Sequence, residues 1–175
     1  ALVLFASGNE YRENFDYELA SHPSVLGVGA TDSRDLKEYY SNWGNELDIT
    51  APAGSVTTDI QSGGGYANGD YTFHFGGTSA ATPVAAGIAG LIFSVDPTFA
   101  RAQVASILKD TADKIGNQPY DNAFNPYYGF GRVNALRAVQ MATGGDVCAP
   151  VPEDCENGID DDCDGLADDS DPNCA

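Results

Sequence analysis

The sequence predicts an α/β domain with a mainly parallel sheet and helices on both faces, followed by a small irregular tail rich in Cys and Asp. Three observations carry this. Short apolar runs such as Ser24-Val-Leu-Gly-Val-Gly-Ala30 lack the polar alternation of a half-wet strand, so they read as strands buried on both faces, as in parallel sheets. Segments of helical spacing follow these strands along the chain, the order expected of an α/β sheet. All 4 cysteines fall after residue 147, in a stretch of different composition. No internal repeat is present.

The elements follow in order. Ala1-Leu-Val-Leu-Phe5 is an apolar run ending in Ala6-Ser7-Gly8-Asn9, which reads as a buried parallel strand meeting a turn. Residues 11–17 form a polar, aromatic loop, and residues 24–30 a second buried strand. Leu47-Asp-Ile-Thr50 is a short strand closed by Ala51-Pro52. Gly63-Gly64-Gly65 and Asn68-Gly69-Asp70 punctuate a turn-rich hairpin, and Tyr71-Thr-Phe-His-Phe75 alternates as a half-buried strand. Residues 79–95 are almost wholly apolar, with Pro83 near the start, where an early helical turn tolerates it. A helix apolar all round is expected to be buried all round. Val104, Ile107, Leu108 and Ala112 recur at helical spacing over residues 98–113, and a third helix covers residues 134–141.

Charge and hydropathy exclude several functions. The net charge is −18, from 26 acidic and 8 basic residues, which argues against nucleic-acid binding through a basic surface and against attraction to an anionic membrane. No apolar run approaches the roughly 20 residues a membrane-spanning helix needs. The acidity is uneven. Residues 148–175 hold 10 acidic residues and no Lys or Arg, against 16 acidic and 8 basic in the remainder. The chain therefore divides near Gly144-Gly145 into residues 1–145 and 146–175. Cys148, Cys155, Cys163 and Cys174, an even number in a short acidic module, point to disulfides and an oxidising compartment. A zinc site is the alternative, and it lacks both Cys-x-x-Cys pairs and a nearby His.

Two places carry chemistry. In Gly77-Thr78-Ser79-Ala80-Ala81-Thr82-Pro83, Ser79 stands in the first turn of the apolar helix. Its N–H is one of the unpaired donors of a helix start, and the positive end of the helix dipole favours a developing oxyanion. The bland alternative is an ordinary Ser or Thr cap. Asn9 follows a strand's carboxyl end, where α/β sheets place ligand-binding groups, and its amide can donate to the same oxyanion. Alone, it would be a turn residue.

The pattern Gly77, Thr78, Ser79, Ala81, Pro83 and Gly87 resembles the nucleophile motif of the subtilisin-like serine peptidases, the subtilase family. Ala6, Gly8 and Asn9 match that family's oxyanion-asparagine turn. Residues 23–30, 47–52 and Tyr128-Gly-Phe-Gly-Arg-Val-Asn134 are weaker matches. Together they cover residues 1 to about 142 as the carboxyl-terminal half of a catalytic domain. The resemblance implies a partial subtilisin-like fold and a serine endopeptidase acting on proteins or peptides. Ser79 would be the nucleophile, and Asn9 with the Ser79 N–H would hold the oxyanion. It also implies that Ala6, Ser7 and Gly8 form one wall of the primary substrate pocket. Glu10 either stands at that pocket's rim or is a solvated carboxylate.

The family's catalytic Asp and His-Gly motifs do not occur in these residues. Neither His22 nor His74 matches the position of the base, and Val84 replaces a His common after the motif's Pro. The expectation is that the missing amino-terminal half supplies the base and the other pocket wall, so the chain alone is inactive. The alternative is a degenerate, non-catalytic subtilase or a calcium-stabilised surface protein.

In the tail, Asp160, Asp162, Asp164, Asp168 and Asp171 fall at positions 1, 3, 5, 9 and 12 of an EF-hand spacing, with Gly165 at position 6. Carboxylates so spaced can converge on Ca²⁺. Residues 155–166 also resemble Asp- and Cys-rich calcium-binding repeats of bacterial surface proteins and thrombospondin type 3 repeats. No helices flank the loop, Asp stands where Glu is usual at position 12, and a solvated acidic linker is the alternative. The whole is expected to be secreted or displayed on an extracellular surface.

Overall fold

A computed structural model describes residues 1–15 and 18–145, save the side chains of Ser62 and His74. The expected calcium ligands Asp160, Asp162, Asp164, Asp168 and Asp171 and the four cysteines lie outside the described residues.

The architecture is the expected α/β one. Strands β1 (Val3–Ala6), β2 (Val25–Thr31) and β3 (Ile49–Pro52) form a parallel sheet in the order β1-β2-β3. Val3 pairs with Val25 and Val28 with Ile49. Strands β4 (Ser55–Thr58) and β5 (Tyr71–Phe75) form a separate antiparallel hairpin that leads into helix α1 (Thr78–Val95). Helices α2 (Arg101–Asp110) and α3 (Ala135–Ala142) complete the described part.

Helix α1 crosses one face of the sheet. Its Ala81, Ala85, Ile88, Ala89 and Ile92 meet Leu26, Val28, Ala30, Ile49 and Ala51. The alanines let the helix backbone approach the sheet closely, and Ile92, fully buried, contributes about 1.5–3 kcal/mol by leaving water. Val104, Ile107 and Leu108 of α2 and Ala138 of α3 extend the same core. Side chains alternate between faces along β2, so Gly27 points to the other face. There the carbonyl of Ala20, in a 3-10 turn at Leu19–Ser21, would lie 2.7 Å from any Cβ added to Gly27.

Some expectations need correction. Helix α1 is not buried all round: Pro83, Val84, Ala86, Gly87, Gly90 and Leu91 face outward and exposed. Val3 and Phe5 are also exposed, at 44% and 38%: they alternate with Leu2 and Leu4, which pack against the core, so they point to the sheet face away from α1, on a strand that is an edge strand among the described residues. Strand β3 runs on through Ala51 and Pro52 instead of stopping before them. The edge position of Pro52 tolerates its missing donor. Helix α2 starts at Arg101, later than the spacing suggested, because Asp96 accepts from both the N–H and the hydroxyl of Thr98 and turns the chain there. Helix α1, with 18 residues and a mean hydropathy of 1.5, is long and apolar enough to be compared with a membrane span. Its place against the sheet is that of a core helix.

The outer edge of β3 is covered by residues 129–133. Phe130 donates to Asp48, Thr50 donates to Gly131 and Val133 donates to Thr50, at 2.7, 2.8 and 2.9 Å. Gly129 sits at φ +61°, and a Cβ there would lie 2.3 Å from the Asp48 carbonyl oxygen. The close approach therefore needs glycine.

Candidate active site

The sheet and α1 bring Asn9 and Ser79 together. Asn9 stands three residues past the end of β1, and Ser79 is the second residue of α1; both are exposed. Between them lies Thr78, fully buried. The Thr78 N–H donates to Asn9 Oδ1 at 2.9 Å, and the Thr78 hydroxyl donates to the same oxygen at 3.1 Å. Thr78 Oγ1 accepts in turn from the Gly8 N–H at 3.2 Å. With its oxygen engaged twice, the Asn9 amide is fixed, and its Nδ2 has no partner among the described residues. The Ser79 N–H is likewise one of the open donors of the helix start. Two free donors and a hydroxyl thus stand at one helix N-terminus, an arrangement suited to an anionic oxygen on an acyl carbon attacked by Ser79.

The loop bearing Asn9 is held from below by Asn42, which is 1% exposed. Asn42 Nδ2 donates to the Ser7 carbonyl at 3.0 Å and to Glu10 Oε2 at 2.7 Å. Its Oδ1 accepts from the N–H groups of Glu10 and Arg12 at 3.0 and 3.2 Å. Glu10 Oε2 also accepts from the Asn9 N–H at 3.0 Å. The Glu10 carboxylate is therefore bound back onto its own loop. Gly8 sits at φ +106°, and a Cβ there would lie 2.3 Å from Asn42 Nδ2. Two residues earlier in sequence, Tyr40 Oη accepts from the Gly77 N–H at 3.0 Å. Burial pushes the Tyr40 phenol above its usual range, against the opposing effect of that donated N–H.

Of the residues expected in a substrate wall, Ser7 is buried, its N–H donating to the Val28 carbonyl at 2.9 Å; Ala6 and Gly8 are half-buried beside it. His22 is remote. Val3 lies beside Val25, so His22, which precedes β2, lies beyond the amino-terminal end of the sheet, whereas Asn9 follows the carboxyl-terminal end. Its Nδ1 accepts from the Ser24 N–H at 3.1 Å. His74 lies on β5, and its side chain is outside the described set. No cluster of three or more His, Cys, Asp or Glu able to hold a metal occurs among the described residues. Sequence reasoning missed Tyr40 and Asn42, whose side-chain hydrogen bonds reach partners at least 30 positions away, so no local spacing signals them.

The sequence profile of the subtilase family, Peptidase S8, matches residues 1–131. The chain belongs to the subtilase family. Among subtilase relatives, it is 34% identical over 160 residues to a cell wall-associated protease of Bacillus subtilis, covering 81% of this chain and 17% of that protein. It is 35% identical over 164 residues to a calcium-dependent protease of Nostoc sp., covering 81% of this chain and 24% of that one. Among solved structures, proteases from Pseudoalteromonas arctica superpose with a TM-score of 0.66 at 27% identity, over 81% of this chain and 43% of theirs. The chain thus spans 17% and 24% of the length of these two curated subtilases.

Proposed function

We propose that residues 1–145 are the carboxyl-terminal half of the catalytic domain of an extracellular serine endopeptidase. The observation that carries this reading is the pairing of Asn9 with Thr78, which leaves the Asn9 amide donors and the Ser79 N–H open at the start of α1. Ser79 Oγ attacks a peptide carbonyl, and its proton passes to a base. A tetrahedral oxyanion forms, held by Asn9 Nδ2 and the Ser79 N–H. Collapse expels the amine, which takes the proton back, and leaves an acyl-Ser79 that water hydrolyses. Ala6, Ser7 and Gly8 form one wall of the pocket for the substrate side chain.

The base, an oriented His, comes from the amino-terminal half of the same domain, outside these residues. The open edge of β1 and the exposed apolar face of α1, with Val84 and Leu91, suit burial by that half. The name of the cell wall-associated relative agrees with an extracellular setting, and that of the calcium-dependent relative agrees with a role for Ca²⁺. Residues 146–175 form a separate acidic module in which Asp160, Asp162, Asp164, Asp168 and Asp171 bind Ca²⁺ and disulfides fix the loop.

The test compares hydrolysis of a protein substrate by the full-length protein, its Ser79→Ala variant and the 175-residue chain alone. The full-length protein should hydrolyse it, and the other two should not. Equal turnover by wild type and Ser79→Ala, or none by wild type, would support a non-catalytic subtilase.

A further inference from the structure

We infer that Asn42 is a positioning residue for the oxyanion site, acting through Glu10 and the loop that carries Asn9. This rests on the peptidase reading above. Asn42 is nearly inaccessible, so its amide must satisfy its hydrogen bonds inside the protein. Each side-chain bond it makes goes to the segment that flanks Asn9. One goes to the Ser7 carbonyl before it, two to Glu10 just after it, and one to Arg12 beyond. The Asn42 main-chain N–H adds a bond to the Gly8 carbonyl at 3.0 Å. Glu10 closes the circuit, since the carboxylate oxygen held by Asn42 also accepts from the Asn9 N–H.

The backbone on both sides of Asn9 is thus referenced to one buried amide. The same short segment sets the nucleophile's approach. Tyr40 accepts from Gly77, two residues before Ser79, and the Tyr40 carbonyl accepts from the Tyr11 N–H at 2.9 Å. Residues 40–42 therefore brace both donors of the oxyanion site against each other. A donor to a transition-state charge must be held to fractions of an ångström, because a misplacement of about 1 Å can cost 10²-fold in rate.

The experiment is a double-mutant cycle in the full-length protein, read as kcat and KM for a peptide substrate. Asn42→Ala should lower kcat by about 10- to 100-fold with KM nearly unchanged. In an Asn9→Ala background, Asn42→Ala should lower kcat by less than about twofold, because the group it positions is gone. Equal losses in both backgrounds, or an unchanged kcat in the single variant, would overturn the inference. Should Asn42→Ala fail to fold, the exposed Glu10 serves as the second handle. Glu10→Ala should lower kcat, and Glu10→Gln, which keeps an oxygen for Asn9 and Asn42, should restore most of it. No difference between the two would overturn the inference. If wild type hydrolyses no peptide, the peptidase reading falls and this one with it. If wild type is active and the cycle is additive, only this inference falls.

Discussion

Thr78 shows how a single residue links the fold to the site. Its side chain accepts from Gly8 and donates to Asn9, while its N–H donates to Asn9 as well. Thr78→Val keeps the shape and removes the hydroxyl, leaving the Gly8 N–H without its acceptor. The variant should lose about 1–3 kcal/mol of stability in urea denaturation of the full-length protein. An unchanged midpoint would mean that water replaces the hydroxyl at no cost. Asn9 and Ser79 were singled out by the sequence as candidates because each stands at the end of an element, beside a turn or helix start with its own local signature. Asn42 and Tyr40 were not, since a buried amide and a half-buried phenol look like any others until the chain brings distant segments beside them.

At the scale of elements, short apolar runs located the three parallel strands, an almost wholly apolar stretch located α1 and helical spacing located α2. Their ends and exposures were less legible. Strand β3 runs on through Pro52 because Ala51 and Pro52 pair with Ala30 and Thr31 of β2, and the Ala53 N–H donates to the Thr31 carbonyl at 2.9 Å. Helix α1 has an exposed apolar side because composition gives the polarity of a surface and not what covers it. The cover over β3 is itself tied down: Arg132 bonds Asp113 at 2.8 Å and pairs with Asp35, while Asp113 also accepts from Asn134 at 3.0 Å. Within this cover, Gly129→Ala would place a methyl group against the Asp48 carbonyl at a left-handed φ. It should destabilise the protein by at least about 1–3 kcal/mol, seen as a lowered Tm. A Tm equal to wild type would show that residues 129–133 can leave β3 freely.

At the scale of the whole molecule, two compositions meet near Gly144-Gly145. Residues 148–175 hold 10 side-chain carboxylates in 28 residues, and their repulsion must be relieved by a cation or by solvent. Calorimetry of the full-length protein should show saturable Ca²⁺ binding, with a dissociation constant of about 10⁻⁶ to 10⁻³ M. The double substitution Asp162→Ala with Asp164→Ala should remove one class of site. Titration curves identical with and without these carboxylates would leave the tail a plain acidic linker.

The central claim is that Asn9 and the first turn of α1 form one oxyanion-binding unit. Steady-state kinetics of Asn9→Ala in the full-length protein tests it most directly. The account expects kcat to fall by about 10²–10³ with KM little changed, the range known for loss of an oxyanion donor in subtilisin. A variant with kcat intact would make Asn9 a turn residue and contradict the account.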